Sequence, residues 1–254
     1  MAKKIVLGGM LLLEERLGEI RKNKCGTNMK IVKYYGHSDI TVKFMDQYEA
    51  EVDTIYSNFI RGQVKNPYDK TVYDIGYIGE GKYKAAIEKQ LLEPRYSVWR
   101  NLLGRCYSPK VKNYKAYSDC IVCDEWHNYQ NFAEWYDSNI YQVGTERMHL
   151  DKDILVKNNR LYSPDTCLIV PQRINMLFLH KPNKYGLPNG IHPKSGGKYY
   201  ATYKHKNLGT FNTLDEAVYA HERAKKNAII DVANEYKEMI PTKVYDALLA
   251  WNPF

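Results

Sequence analysis

Apolar and polar residues alternate along "NMKIVKYYGHSDITVKFMDQYEAEV", on both sides of a Gly-His-Ser-Asp turn. Successive strand side chains point to opposite faces, so this period places Met29, Ile31, Ile40, Val42 and Phe44 on the buried side of a hairpin. "FIRGQVKNPYDK" follows, where Gly62 and Asn66-Pro67 end a further short strand. Residues 26–83 therefore read as a small, bent β-domain of the barrel kind. The period becomes helical in "YSVWRNLLGRCYS": Val98, Leu102 and Cys106 recur four apart, Trp99 and Leu103 widen the stripe, and Pro109 stops it. A second helix is predicted in "HNYQNFAEWYDSN", with Phe132, Trp135 and Tyr136 on one face. Between 150 and 170 two short apolar runs are separated by "KNNR" and "YSPDT", the pattern of a hairpin or irregular loop. A helix opens near Gln172.

Further on, "NGIHPK", "KYYATYK" and "KNLGTFN" predict three strands, with turns at Gly196-Gly197 and Lys206-Asn207. Thr213 to Glu216 spells Thr-Leu-Asp-Glu, a capping box. It opens a helix whose Ala217, Ala220, Ala224 and Ala228 leave a narrow groove able to lie close on a sheet. The class is α+β. Four segments are expected: a leading segment passing into a helix over 1–25, the β-domain over 26–83, a central domain over 84–180, and a three-stranded sheet plus helix over 181–254.

Composition narrows the partners. Lys and Arg number 37 against 29 Asp and Glu, a formal charge of +8, which favours nucleic acid, an anionic membrane surface or an acidic protein. No window reaches the roughly 18 apolar residues needed to span a bilayer, and a membrane partner is not expected. The opening "AKKIVLGGMLLLEERLGEIRKNK" imitates a signal peptide, but Gly8 and Gly9 break its apolar run and Glu14, Glu15 and Arg16 follow directly. The five cysteines are an odd number at irregular spacing, so a reducing cytoplasm is expected rather than a disulfide framework. The most one-signed stretch runs from 181 to 212, with Lys181, Lys184, Lys194, Lys198, Lys204 and Lys206 and no acidic residue.

Residues Gly190-Ile191, Tyr199-Tyr200-Ala201, Leu208-Gly209-Thr210-Phe211, Thr213, Glu216-Ala217 and Ala220 stand in the pattern of the APETALA/ethylene-response type DNA-binding domain, which the C-terminal segment resembles. In that family a three-stranded sheet lies in the major groove of double-stranded DNA. The resemblance implies DNA contacts from Lys194, Lys198, Tyr200, Thr202, Lys204 and Lys206. Each lysine that neutralises a phosphate releases a counterion, which positions the protein without specifying sequence. Base readout most often uses arginine, and this stretch has none.

Arg105-Cys106-Tyr107, Pro109, Tyr117, Val122-Cys123-Asp124-Glu125-Trp126, Phe132, Leu150-Asp151-Lys152-Asp153 and Tyr162-Ser163-Pro164-Asp165-Thr166-Cys167 follow the motif order of phage HNH-type endonucleases. The central segment resembles that family, whose nicking and homing enzymes carry a ββα-metal core. The resemblance implies one divalent ion, Mg²⁺ or Mn²⁺, with Asp151 as first ligand and Asn175 as second; Asp153, two residues on and on the same strand face, can add a carboxylate. Lys152 stands where the general-base histidine would be, and a lysine stays protonated at neutral pH unless its surroundings lower its pKa far below the ordinary value. Thr166 stands in place of the asparagine that braces the loop. His149, two residues before Asp151 on an extended strand, is the alternative base, and His127 is a further candidate. Cys106, Cys120, Cys123 and Cys167 either bind structural Zn²⁺, for which Cys120-x-x-Cys123 has the spacing, or are packed core cysteines.

"NPY" at 66–68 and "GYIGEGKY" at 76–83 resemble the ending of a recurring phage module to which no function attaches, and lack the spacing of a phosphate loop. Three functions follow as alternatives for a phage-type protein in the cytoplasm of an infected bacterium. It is a DNA-binding HNH endonuclease, or a catalytically silent scaffold that binds DNA or a host defence protein, or an RNA-binding module suggested by charge and tyrosines alone.

Overall fold

A computed structural model of the chain describes residues 16–88, 91–111, 114–179 and 184–253. The fold is mixed α+β with several small sheets and, among the described residues, no closed barrel. Two compact units form: one from the chain up to Ser118 together with Asp124–Glu134, the other from Asp119–Cys123 together with Trp135 onward. Their bounds differ from those of the expected segments.

In the first unit, strands β1 (Ile20–Lys22), β2 (Asn28–Gly36), β3 (Asp39–Phe44) and β4 (Glu51–Thr54) make an antiparallel sheet in chain order. The alternation reads out as expected, with Met29 opposite Phe44, Ile31 opposite Val42, and these four with Ile40 fully buried. The sheet is an open meander and not a barrel. Ile20–Lys22 is a strand, where the pattern over 1–25 predicts helix, because it pairs with the edge of β2; residues 1–15 of that predicted segment lie outside the described residues. Phe59 and Ile60 stand in helix α1 (Tyr56–Ile60) rather than in a strand. Tyr56 and Phe59, three apart, thereby share one face against the sheet's core.

A short hairpin of β5 (Ala86–Glu88) and β6 (Leu91–Leu92) leads to helix α2 (Pro94–Tyr107). Pro94 opens that helix, where no backbone N–H is needed, and the Glu93 carboxylate accepts from the Arg95 amide at 2.9 Å. Trp99, Leu102, Leu103 and Cys106 are buried along the predicted stripe. After α3 (Tyr114–Tyr117), helix α4 (Tyr129–Asn139) buries Tyr129, Phe132 and Ala133, a face turned from the expected Phe132-Trp135-Tyr136. The Trp99 indole N–H donates to the Trp126 carbonyl at 2.7 Å, and its ring lies 5.3 Å from that of Tyr129. The "GYIGEGKY" segment is part of this packing. Its backbone is held by the Gln130 side chain, which donates to the Ile78 and Tyr83 carbonyls and accepts from the Tyr83 amide. A Cβ on Gly79 or Gly81 would sit 2.2 Å from the Asn128 side chain or 2.4 Å from that of Gln130, so both glycines are needed for close approach.

In the second unit, β7 (Ile121–Val122) runs parallel to β9 (Leu161–Tyr162), and β8 (Met148–Asp151) pairs antiparallel with β10 (Leu168–Pro171). One helical turn, α5 (Gln172–Asn175), follows β10 directly. Strands β11 (Ile191–Lys194), β12 (Lys198–Tyr203) and β13 (Lys206–Phe211) form the expected three-stranded sheet. The second turn lies at Lys204-His205, with φ of 45° and 65°, and not at Lys206-Asn207. Lys206 and Asn207 instead pair with Tyr203 and Thr202 across the ladder.

Helix α6 (Leu214–Tyr236) opens on the predicted capping box: the Glu216 amide donates to Thr213 Oγ1 at 3.2 Å, and the Thr213 amide to the Glu216 carboxylate at 3.2 Å. Of the alanine stripe only Ala217 enters the sheet's core, with Ile191 and Ala201. Gly190, at φ 75°, lets His221 lie against the sheet, since a Cβ there would meet His221 at 2.6 Å and the Thr202 carbonyl at 2.3 Å. The later turns of α6 bring Ile229, Val232, Ala233 and Tyr236 into one core with Leu168, Val170 and Ile174, closed by Val244 and Leu248 of α7 (Thr242–Ala250). The expected boundary at 180/181 is thus bridged by a shared core.

Candidate functional site

His149 and Asp151 lie two apart on β8, so their side chains leave the strand on one side. Asn175, at the end of α5, reaches that strand: its Nδ2 lies 3.2 Å from His149 Nδ1. Two of the expected site residues are therefore in direct contact. Asp151 is only 7% exposed, and its Oδ1 accepts from the backbone amides of Asp153 and Ile154, each at 2.8 Å. Burial pushes its carboxyl up to about 6, even though both amides favour the charged form. It closes the turn that ends β8.

Lys152 is as buried as Asp151. Its Nζ donates to the Asn159 carbonyl at 2.5 Å and to Asp153 Oδ1 at 2.8 Å, while Asn159 Nδ2 donates back to the Lys152 carbonyl at 3.0 Å. Asn159 Nδ2 also donates to the Leu161 carbonyl, and its Oδ1 accepts from the Leu161 amide at 2.9 Å. Lysine at this position therefore locks the 152–161 loop. A group already holding a carbonyl and a carboxylate with its protons is not set up to remove one from water. Asn159 is the residue that sequence reasoning missed. Its only signal was an asparagine in the turn-forming "KNNR" stretch. Thr166 braces the next turn, donating to the Leu161 carbonyl at 2.7 Å and accepting from the Ser163 amide at 3.2 Å.

A divalent ion of the Mg²⁺ or Mn²⁺ kind needs several oxygens converging on one point. Here Asp151 caps two amides, Asp153 faces an ammonium that would oppose a cation, and Asn175 turns to His149. These partners do not fit the implied metal centre. Among the described residues no three His, Cys, Asp or Glu side chains gather as a metal site. Of the four cysteines considered for Zn²⁺, Cys106 belongs to the first unit and Cys120, Cys123 and Cys167 to the second. Burial pushes the Cys120 thiol up from its ordinary value. His127 also belongs to the first unit, its Nδ1 3.6 Å from the Asp124 carboxylate.

The three-stranded sheet has two distinct faces. Tyr199 opposite Phe211, and Ala201 opposite Ile191, face the core against α6. On the other side His192 lies opposite Tyr200, Tyr200 opposite Thr210, and Lys194 opposite Lys198. The His192 and Tyr200 rings stack at 4.6 Å, Lys194 Nζ reaches Thr210 Oγ1 at 3.1 Å, and Thr202 Oγ1 lies 3.5 Å from His192 Nε2. Lys194, Lys198, Tyr200 and Thr202 thus share the outer face. Lys204 sits in the turn instead, and Lys206 pairs with Tyr203, whose ring meets His221 on the helix side at 5.4 Å. A bulge between Ala201 and Thr202 separates the two groups. Lys181 lies outside the described residues.

No family model, curated protein or solved structure matches the chain. Among the described residues no helix is long and apolar enough to cross a membrane.

Proposed function

We propose that the chain binds double-stranded DNA through the outer face of β11–β13, and that the β8–β10 hairpin with α5 is an HNH-like ββα scaffold that supports binding rather than cutting. One observation carries this: Lys194, Lys198, Tyr200 and Thr202 project from one sheet face, in a stretch from 181 to 214 without a single carboxylate. Such a face attracts the phosphate backbone by charge, while threonine, tyrosine and histidine offer further hydrogen bonds to it. The bonds that lock Lys152 and cap with Asp151 favour a scaffold over a nuclease. A protein of this phage kind belongs in the cytoplasm of the infected bacterium, where duplex DNA is reached directly.

Fluorescence anisotropy of a labelled duplex over a salt series tests the reading. Binding is expected to be tight at low salt and to weaken steeply. The Lys194→Gln/Lys198→Gln variant is expected to lower the slope of log affinity against log salt by about 2. Absence of binding to duplex in dilute buffer ends the proposal. A tight complex with a host defence protein, weakly dependent on salt, would favour the inhibitor form of the scaffold. Hydrolysis has one contact in its favour, His149 with Asn175. It would be shown by plasmid nicking with Mg²⁺ or Mn²⁺ that His149→Ala abolishes.

A further inference from the structure

The second unit contains a cleft of about 570 Å³ where the β12–β13 turn, the start of β11 and the middle of α6 approach the residues after α5. Its size is that of small-ligand sites, roughly 300–1,000 Å³. Lys204 and His205 enter from the turn, His192 and Thr202 from the outer sheet face, and His221 and Lys225 from α6. One wall is apolar, formed by Met176 and Leu179. The single carboxylate of the lining is Glu222, 3.7 Å from His221 Nδ1. Burial works against its charge, but His221 and then Lys225 outweigh burial and hold the carboxyl below its ordinary range. Burial likewise lowers Lys225, with Glu222 and, more weakly, Asp153 opposing and Lys157 adding to the fall. Two lysines and three histidines therefore line the cleft against one carboxylate, Glu222, and the Lys225 ammonium, at the cleft's edge, also lies 4.9 Å from the centre of the Trp251 ring.

A cleft lined by two lysines and three histidines with one carboxylate offers an anion more donors than acceptors. Phosphate suits this lining, since it accepts several charge-assisted hydrogen bonds at once. Two members of the lining, His192 and Thr202, also belong to the outer sheet face, so the cleft continues the surface proposed for DNA. Its apolar wall begins at Met176, the residue after the Asn175 that meets His149.

We propose that this cleft is a phosphate-binding site, with Lys204, Lys225, His192 and His205 as its donors, and that in the DNA complex it seats a backbone phosphate leaving the sheet. The second clause rests on the DNA-binding reading; the first does not. Calorimetric titration of the full chain with inorganic pyrophosphate tests the cleft, and duplex anisotropy on the same proteins tests the link. Lys204→Gln/Lys225→Gln is expected to weaken pyrophosphate binding by at least about tenfold, the effect of one or two lost charged hydrogen bonds. Lys194→Gln/Lys198→Gln leaves pyrophosphate binding unchanged, and duplex affinity falls in both variants. Lys204→Gln alone, at an exposed turn, gives a smaller loss in the same direction should the double variant melt early. Wild-type protein that ignores pyrophosphate, or cleft variants that bind it as well as wild type, would overturn the site. Pyrophosphate binding lost only in the cleft variants, with duplex bound by none, would retain the site for a free phosphate ligand and sink the DNA reading instead.

Discussion

Asp151 carries an electrostatic penalty that its position makes measurable. Its carboxyl, normally near 3.9 in an unfolded chain, is pushed up to about 6 by burial. A raised folded-state value means that protonation favours the fold: the contribution is fully present below the unfolded value and is lost as pH rises through about 6. At neutral pH the ionised group therefore weakens the fold by about 3 kcal/mol, since a tenfold change in proton affinity is worth roughly 1.4 kcal/mol. Asp151→Asn keeps an oxygen to accept from the Asp153 and Ile154 amides but carries no charge. Its stability relative to wild type is expected to grow between pH 4 and pH 7.5 by up to about 3 kcal/mol, read from urea unfolding at the two values. A difference that stays flat with pH would show that the site is not desolvated. Lys152 is the complementary case, a buried cation with partners. Lys152→Met leaves the Asn159 carbonyl and Asp153 without their donor, and a loss of about 2–4 kcal/mol is expected from the unmet groups. Lys152→His, which would restore the residue type of the family's base, is expected to destabilise similarly and to create no nicking activity, because an imidazole cannot span both acceptors. Nicking gained by that variant would show instead that the site is a decayed nuclease.

At the scale of elements, the sheet and α6 meet through a contact that depends on one glycine. Gly190 and Gly196 both hold positive φ, at 75° and 76°, but only Gly190 is crowded. Gly190→Ala combines backbone strain with a Cβ driven against the Thr202 carbonyl and the His221 ring, and at least about 3 kcal/mol should be lost. Gly196→Ala meets nothing within 4 Å and should cost only the strain, about 1–2 kcal/mol. Thermal unfolding of the pair separates the two effects, and equal losses would mean that His221 does not pack against β11. Elements of this kind are legible in the sequence where their signals are local. The alternation of Met29, Ile31, Ile40, Val42 and Phe44, the stripe from Trp99 to Cys106, and the Thr213–Glu216 box each state their own geometry. The Lys204-His205 turn falls two residues before the predicted place because lysine and histidine carry no turn preference, and their left-handed backbone is imposed by the ladder on either side.

Across the whole molecule, the feature hardest to read from the sequence is which surface each helix shares. The period of α6 shows an apolar stripe, but it cannot say that Ala217 serves the sheet while Ile229, Val232, Ala233 and Tyr236 serve the β8–β10 hairpin. For the same reason neither the contact of Asn175 with His149 nor the lock between Lys152 and Asn159 could be read from the sequence, since both depend on how distant residues fold back on β8. The consequence is a test of the expected domain division. A fragment of residues 181–254 keeps only Ile191, Ala201 and Ala217 as its fully buried sheet core, and its four later α6 side chains keep Val244 and Leu248 but lose the cover of Leu168, Val170 and Ile174. Exposing side chains of this size costs about 1.5–3 kcal/mol for each large one, which is comparable with the roughly 5–15 kcal/mol that stabilises a whole domain. The fragment is therefore expected to lack a cooperative transition and dispersed amide resonances, while the full chain retains both. A fragment 181–254 that unfolds sharply on its own would show that the sheet and helix stand as an independent domain and that the shared core adds little.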